Sequence, residues 1–425
     1  MTTEMIIALV IFVGMVIMIM SDKFAFGAPP LIACALLVLT GISEPEAAFA
    51  GFVDKNVIMV AGFMVVMAGF QKTSLIAKIK STLFNMANKG GKKSYIMMLL
   101  IIMLGASVMS GTAYYVMILS IISTIPYNEK MPSGKIFMPL AFGTYNSLVP
   151  FNMATMTAIS VGVLSSTGFE GANIPMLNLS VMVFVRSIAF LIWAIVAYRF
   201  LPDRPIGEMD EADKVTNKQA GPQLPKWKET TTYVLMIVTV VSMVLLKKFP
   251  GNTGYAVPAV VASVMFVLGI LDFKEIRNNI ASPVIIMMAS VIGVAGALAD
   301  TGFTGMVGEA AAGLLGGMSP FVIVLVFALL TSISATFTGA SFGSLYVFAP
   351  IAISACMSMG LNPTAVAVSC TLAAWINWIM PIDGMPALVM GMGKYKLGEF
   401  WLFTIPLWIV QMLLLCATAV FFFPM

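Results

Sequence analysis

The run from Met5 to Met20 carries no charged side chain, and comparable apolar windows recur at Val57 to Phe70, Val181 to Ala197, Tyr233 to Leu246, Val284 to Leu298 and Leu402 to Phe423. A helix needs roughly 17 to 20 mostly apolar residues to cross the hydrocarbon of a bilayer. Only helices and closed barrels satisfy their backbone there. Barrel strands alternate apolar and polar residues, and these windows do not alternate. The chain is therefore expected to be an all-α polytopic membrane protein. Its composition agrees, with 60% hydrophobic and 10% charged residues against roughly 45–50% and 25% in soluble domains. Ahead of the first window stands Glu4 with no Lys or Arg, and no A-x-A site follows. That window reads as a retained span rather than a signal peptide.

Several chemistries are excluded. The chain has no histidine, so zinc sites and Ser-His-Asp catalysis are not expected and a proton relay must use carboxylates. No P-loop is present, which leaves an ion gradient as the source of energy. No nucleophile and base can be paired, so no enzymatic activity and no organic cofactor are expected. Cys34, Cys356, Cys370 and Cys416 all lie in apolar segments without C-x-x-C spacing and read as small core residues.

A polar stretch from about Leu201 to Glu229 divides the chain into a first half (residues 1–200), a linker (201–230) and a second half (231–425). "AGFQKTSL" from Ala68 recurs as "AGALADTGF" from Ala295, and "NSLVPFN" from Asn146 recurs as "NWIMPID" from Asn377. Such self-similarity marks an internal repeat. Each half reads as three spans, an interfacial helix, an apolar stretch interrupted at its centre, a span broken at the Asn-Pro motif, and a last span. The interrupted stretches, about residues 95–123 and 321–354, have small polar residues at their centres, the pattern of a re-entrant hairpin. Five full spans per half is an odd number, so the second half is expected to be inverted. The interfacial segment Lys72 to Lys93 carries six lysines, whereas its counterpart Thr301 to Ser319 has no Lys or Arg. By the positive-inside rule the first faces the cytoplasm and the second the exterior. Both termini then lie outside. The net charge of +4 is mostly this orientation bias and calls for no nucleic-acid partner.

Helix breaks inside a membrane persist only where protein or a water-filled cavity satisfies the freed backbone groups. Pro150 and Pro381 each remove a helical donor and oppose the carbonyl four residues back, which belongs to Asn146 and Asn377. Gly384 follows the second break. Paired interruptions in inverted halves are the layout of a secondary transporter with a midplane site. Asn146, Asn152, Asn377 and Asp383 are the candidate cation ligands, through side-chain oxygens and freed carbonyls; sodium suits such an oxygen cage, and Asp383 could instead carry a proton. A carboxylate inside a span costs roughly 2.5–3.5 kcal/mol on insertion scales and is functional by default. Arg186 is the one cation embedded in a span, readable as a structural partner, a snorkelling anchor or a substrate ligand.

"PPLIACALLVLTGISEPEAAFAGFVDKNVIMVAGFMVVMAGFQKTSLI" and "GLNPTAVAVSCTLAAWINWIMPIDGMPALVMGMGKYKLGEFW" resemble the divalent anion/sodium symporter family within the ion transporter superfamily. The resemblance implies an elevator-type homodimer with a scaffold domain and a moving transport domain. In that family each hairpin tip bears Ser-Asn-Thr, which contacts substrate carboxylates. The matching positions here are Ser110, Gly111 and Thr112 in the first tip, and Thr338 followed by Gly339, Ala340 and Ser341 in the second; both lack the Asn. The family's neutral Pro-Pro-Asn run is replaced by "PIDGMPA" with Asp383. A dianion beside an ionised Asp383 would be repelled by about 4 kcal/mol at 4 Å and an effective dielectric near 20, unless a bound cation or proton neutralises the carboxylate. The leading expectation is a cation-coupled, sodium-favouring transporter of a di- or tricarboxylate in a bacterial inner membrane. The alternative is a sodium/proton antiporter or inorganic-ion carrier of the same superfamily that exchanges its cations on Asp383.

Overall fold

The protein is described by a computed structural model that covers residues 2–20, 24, 27–108, 112–123, 129–149, 153–169, 173–205, 224–245, 248–251, 253–338, 341–381 and 384–425. Among these residues the regular structure is helical. The first half holds α1 (Thr3–Met20), α2 (Ala28–Leu39), the short α3 (Pro45–Ala48) with a 3-10 turn after it, α4 (Lys55–Gln71), α5 (Leu75–Lys89), α6 (Gly91–Val108), α7 (Thr112–Ser123), α8 (Ser133–Gly143), α9 (Met153–Ser166) and α10 (Met176–Ala197). The second half holds α11 (Lys226–Val244), α12 (Thr253–Val267), α13 (Phe273–Ile280), α14 (Pro283–Asp300), α15 (Phe303–Leu315), α16 (Pro320–Thr338), α17 (Ser341–Ser358), α18 (Thr364–Ala373), α19 (Gly384–Gly393) and α20 (Leu397–Phe422). Five helical stretches are long and apolar enough to cross a membrane, among them Met176–Ala197, Pro320–Thr338, Ser341–Ser358 and Leu397–Phe422. Both arms of the second interrupted stretch thus have the length of a span.

The helices pack in an exchanged pattern. α2 lies on α14 while α12 lies on α4, α3 touches α14 while α13 touches α4, and α9 meets α18 while α19 meets α8. Small residues permit the closest of these crossings. A methyl group at Gly62 of α4 would collide with the backbone of Pro258 and Ala259 in α12, and one at Gly293 of α14 with the carbonyl of Ala48 in α3. Gly62 and Gly293 are separated by the same 231 residues as Asn146 and Asn377.

By contact the helices form two groups. α1 to α4 pack with α11 to α14; α6 to α10 pack with α16 to α20. The principal seam between the groups is made by α9, which rests on α4 and α14. Within the second group α16 and α17, the arms of the second interrupted stretch, pack against each other, and single side-chain bonds link the arms of each pair. The Tyr114 hydroxyl donates to the Ile102 carbonyl at 2.7 Å and the Ser344 hydroxyl to Ser334 Oγ at 3.0 Å.

Candidate functional site

Both broken spans stop upstream of the prolines. α8 ends at Gly143 because three successive amides, of Thr144, Tyr145 and Asn146, bond three residues back to Ala141, Phe142 and Gly143, a 3-10 tightening that closes a helix end. Two side chains occupy the terminal carbonyls as well: Thr144 Oγ1 donates to Ala141 at 2.7 Å and Asn146 Nδ2 to Phe142 at 2.9 Å. α18 ends at Ala373 in the same manner, with Trp375 and Ile376 amides bonding to Leu372 and Ala373. The carbonyls of Asn146 and Asn377 therefore already lie beyond their helices, and the prolines are not what ends those helices.

The break carbonyls are less free than the sequence suggests. Ile376 O accepts from Ser332 Oγ of α16 at 2.5 Å and from Trp408 Nε1 of α20 at 3.1 Å, and Ile379 O accepts from Trp401 Nε1 at 2.8 Å. On the first side, Ser107 Oγ of α6 accepts from the Val149 amide at 2.8 Å. Each paired-arm unit thus contributes one serine from its first helix to the break of its own half. An unpaired backbone group in hydrocarbon costs several kcal/mol, so these side chains stabilise the interruptions.

Between the two helix groups, bordered by both breaks, is a cavity of about 460 Å³. α4 supplies Phe63, Met64, Met67 and Gln71; the first break supplies Thr144, Tyr145 and Ser147; α9 supplies Thr155 and Met156; Trp375 and Trp378 close the second break's side. α10 supplies Arg186. Its side chain is only 6% exposed. A guanidinium stays protonated in proteins. Among the described residues no carboxylate pairs with it; Nη2 donates to Gln411 Oε1 at a long 3.4 Å, and Nε has no partner. Trp378, whose ring meets Phe142 and Tyr145 edge-on, also lines the cavity, and its buried Nε1 finds no acceptor among the described residues. Both unsatisfied groups are donors only. A buried donor left unpaired costs roughly 1–3 kcal/mol, more when charged; an acceptor relieves either, and for the guanidinium an acceptor with negative charge does so best. Gln411 in turn donates from Nε2 to Asn146 Oδ1 at 2.8 Å.

Of the described sequence candidates, Arg186 alone is on the cavity's wall. Asn146 is buried in the chain just given, flanked by lining residues Tyr145 and Ser147. Asn377 is half-buried beside Trp378, with no hydrogen bond among the described residues, and Pro381 and Gly384 follow it along the break and into α19. Ser341 begins α17 next to the lining residue Phe342, Thr338 ends α16 with its hydroxyl on the Ser334 carbonyl at 2.8 Å, and Thr112 begins α7. Ser110, Gly111, Pro150, Asn152, Gly339, Ala340 and Asp383 lie outside the described residues. Gln411 and Trp378 escaped the sequence reading. The available signal for Gln411 was that the last long helix of each half carries one large polar residue near its middle, Arg186 in α10 and Gln411 in α20.

Residues 15–342 match the family described as Citrate transporter. This chain belongs to the citrate transporter family. That family is a member of the ion transporter superfamily, which agrees with the resemblance read from the sequence. Among curated relatives, this family member is 24% identical over 225 residues to the L-tartrate/succinate antiporter of Escherichia coli (strain K12), covering 48% of this chain and 45% of that protein. It is 23% identical over 190 residues to the uncharacterized transporter YfbS of the same strain, covering 44% of this chain and 30% of that protein. The chain spans less than half the length of these relatives. The YdaH transporter of Alcanivorax borkumensis, a crystal structure, superposes with a TM-score of 0.62 over 88% of this chain and 86% of that one at 14% identity, a likeness of fold.

Proposed function

We propose that this member of the citrate transporter family carries a small organic di- or tricarboxylate across a bacterial inner membrane by alternating access. The observation that carries the reading is the buried Arg186 guanidinium, unpaired by any described carboxylate and facing a cavity between two separately packed groups of helices. An unpaired guanidinium on the cavity's wall favours an anion over the cation-only exchange of the alternative sequence reading. The substrate's carboxylate takes Arg186 and the Trp378 N–H.

Inverted repeats are supported by the exchanged helix contacts and by the shared spacing of Gly62 with Gly293 and of Asn146 with Asn377. An elevator motion is supported by the division into two groups, α9 being the principal seam. Re-entrant hairpins rest on the sequence pattern and on the packing of α16 against α17. Coupling to sodium, with Asn146, Asn152, Asn377 and Asp383 as ligands, rests on the oxygen-rich breaks. The relatives named as L-tartrate/succinate antiporters favour exchange of one anion for another as a second mode. A homodimer with both termini outside completes the reading, from the family resemblance and the lysine bias.

The test is thermal unfolding of the detergent-purified protein with citrate, succinate, L-tartrate or sulfate, in sodium and in choline chloride. A ligand at 100 times its dissociation constant stabilises by about 2.7 kcal/mol. A shift from one carboxylate, enlarged by sodium and abolished in Arg186→Gln, is the expected result. Equal shifts in wild type and Arg186→Gln would remove the anion from this site.

A further inference from the structure

The side chains of Arg186, Gln411 and Asn146 form a hydrogen-bond chain that has only one possible polarity. At one end the guanidinium can only donate; at the other the Phe142 carbonyl can only accept. Asn146 must therefore present Nδ2 to Phe142, at 2.9 Å, and turn Oδ1 toward Gln411. Gln411 must present Nε2 to that oxygen, at 2.8 Å, and turn Oε1 toward Arg186. The two ends thus fix the orientation of both amides. Gln411 is fully buried in α20 and joins α10 to the break after α8, so it touches the anion's guanidinium on one side and a candidate cation ligand on the other.

The two links of Gln411 differ in quality. Its bond to Arg186, at 3.4 Å, is at the long limit for N–H···O, so an anion that draws the guanidinium into the cavity breaks it at little cost. Its bond to Asn146 is short. A cation arriving at Asn146 Oδ1 meets the positive edge of the Gln411 amide, and repulsion disfavours that arrangement. Once the anion has released Oε1, a half-turn of the amide exchanges the two ends and sets Oε1 beside Asn146 Oδ1, giving the cation two oxygens in place of one oxygen and one N–H.

We infer that Gln411 is a positioning residue whose amide couples anion binding at Arg186 to cation binding at Asn146. The inference rests on the transport reading above. With the cavity empty the amide holds Arg186 and blocks Asn146; with both ligands bound it is reversed. Coupling between sites is reciprocal, so sodium tightens the anion by the same factor as the anion tightens sodium, and that factor is what Gln411 sets.

The experiment titrates citrate, succinate and L-tartrate into purified wild type, Gln411→Met and Gln411→Glu, in sodium and in choline chloride, reading dissociation constants by thermal shift. Wild type is expected to show a sodium-dependent gain of tenfold or more for the anion that binds. Gln411→Met, close in shape but without either polar end, is expected to bind that anion within a few-fold of wild type in choline and to show a sodium gain near one. Gln411→Glu places a carboxylate against Arg186 and is expected to lose anion affinity while still being stabilised by sodium alone. A purely structural role would lower unfolding temperature and leave the sodium gain untouched. A full sodium gain in Gln411→Met overturns the inference and leaves the transport reading in place. If no anion shifts the wild type, or if Arg186→Gln binds it as well, the site reading itself fails and takes the inference with it.

Discussion

At the scale of single residues, the cavity is defined by donors without acceptors, and Trp378 isolates one of them. Its ring is held by Phe142 and Tyr145, so Trp378→Phe removes the Nε1–H and keeps most of the aromatic packing. A hydrogen bond to a charged acceptor is worth roughly 1.5–3 kcal/mol, which sets the expected loss of anion affinity at about tenfold to a hundredfold in titrations followed by thermal shift. An affinity unchanged in Trp378→Phe would leave Arg186 as the anion's ligand without this partner. The sequence made Asn146 and Asn377 visible because a motif repeats in both halves. Arg186 was visible as a span-embedded cation, with its role undecided. Gln411 and the Trp378 N–H were not legible, since what distinguishes them is a contact between helices hundreds of residues apart or the lack of an acceptor, and neither leaves a local pattern. The break carbonyls show the opposite failure: Pro150 and Pro381 pointed to freed backbone, but Ser332, Trp401, Trp408 and the Asn146 side chain satisfy much of it.

At the scale of elements, the legible features were those with a periodic or compositional signature. The lysine-rich interfacial segment became the amphipathic α5, and each interrupted stretch became two helices. How α5 is anchored depends on a tertiary contact. Ser74, the residue just before it, gives its amide and its hydroxyl to Glu229 of α11, at 2.8 and 2.5 Å, and Tyr233 adds a third donor at 2.8 Å. These donors, the Ser74 hydroxyl first, hold the Glu229 carboxyl below its ordinary value. A lowered folded pKa gives stability that is fully present above the unfolded value, about 4.3, and is lost as pH falls through the folded pKa. Detergent-solubilised wild type is thus expected to lose this part of its stability on acidification below about pH 4.3, and Glu229→Gln to show a shallower acid dependence together with a lower unfolding temperature at pH 7. Parallel acid profiles for the two proteins would show that Ser74 does not depend on the charge. The Lys72–Glu275 pair, at 2.7 Å, ties the end of α4 to α13 and is common to both proteins, so the comparison is made between profiles rather than on either alone.

At the scale of the whole molecule, the question is whether the two helix groups move as bodies. The cavity wall is shared between them, with Phe63, Met64 and Gln71 on α4 of one group and Arg186, Trp375 and the breaks in the other. A ligand held by the second group could therefore change sides if that group slid along α4 and α14 through the α9 seam. Gly162 of α9 lies at that seam, where a side-chain methylene would be in ordinary contact, 3.6 to 3.7 Å, with the end of Ile292 on α14. Cysteines at Gly162 and Ile292 are thus placed within reach of a disulfide or a short bifunctional thiol reagent. The four native cysteines are buried and give little background. Cross-linking Gly162→Cys with Ile292→Cys in proteoliposomes is expected to abolish citrate or succinate uptake and exchange, to leave binding within a few-fold of the reduced protein, and to be reversed by dithiothreitol. Either single cysteine should transport normally under the same treatment. A pair inside one group, Ser334→Cys with Ser344→Cys, whose hydroxyls are 3.0 Å apart, should permit transport when bridged if the group travels as a unit. Transport at full rate through a bridged α9–α14 seam would exclude the sliding motion, because a covalent tie across that seam cannot survive relative displacement of the groups, and alternating access would then have to come from rearrangement within one group.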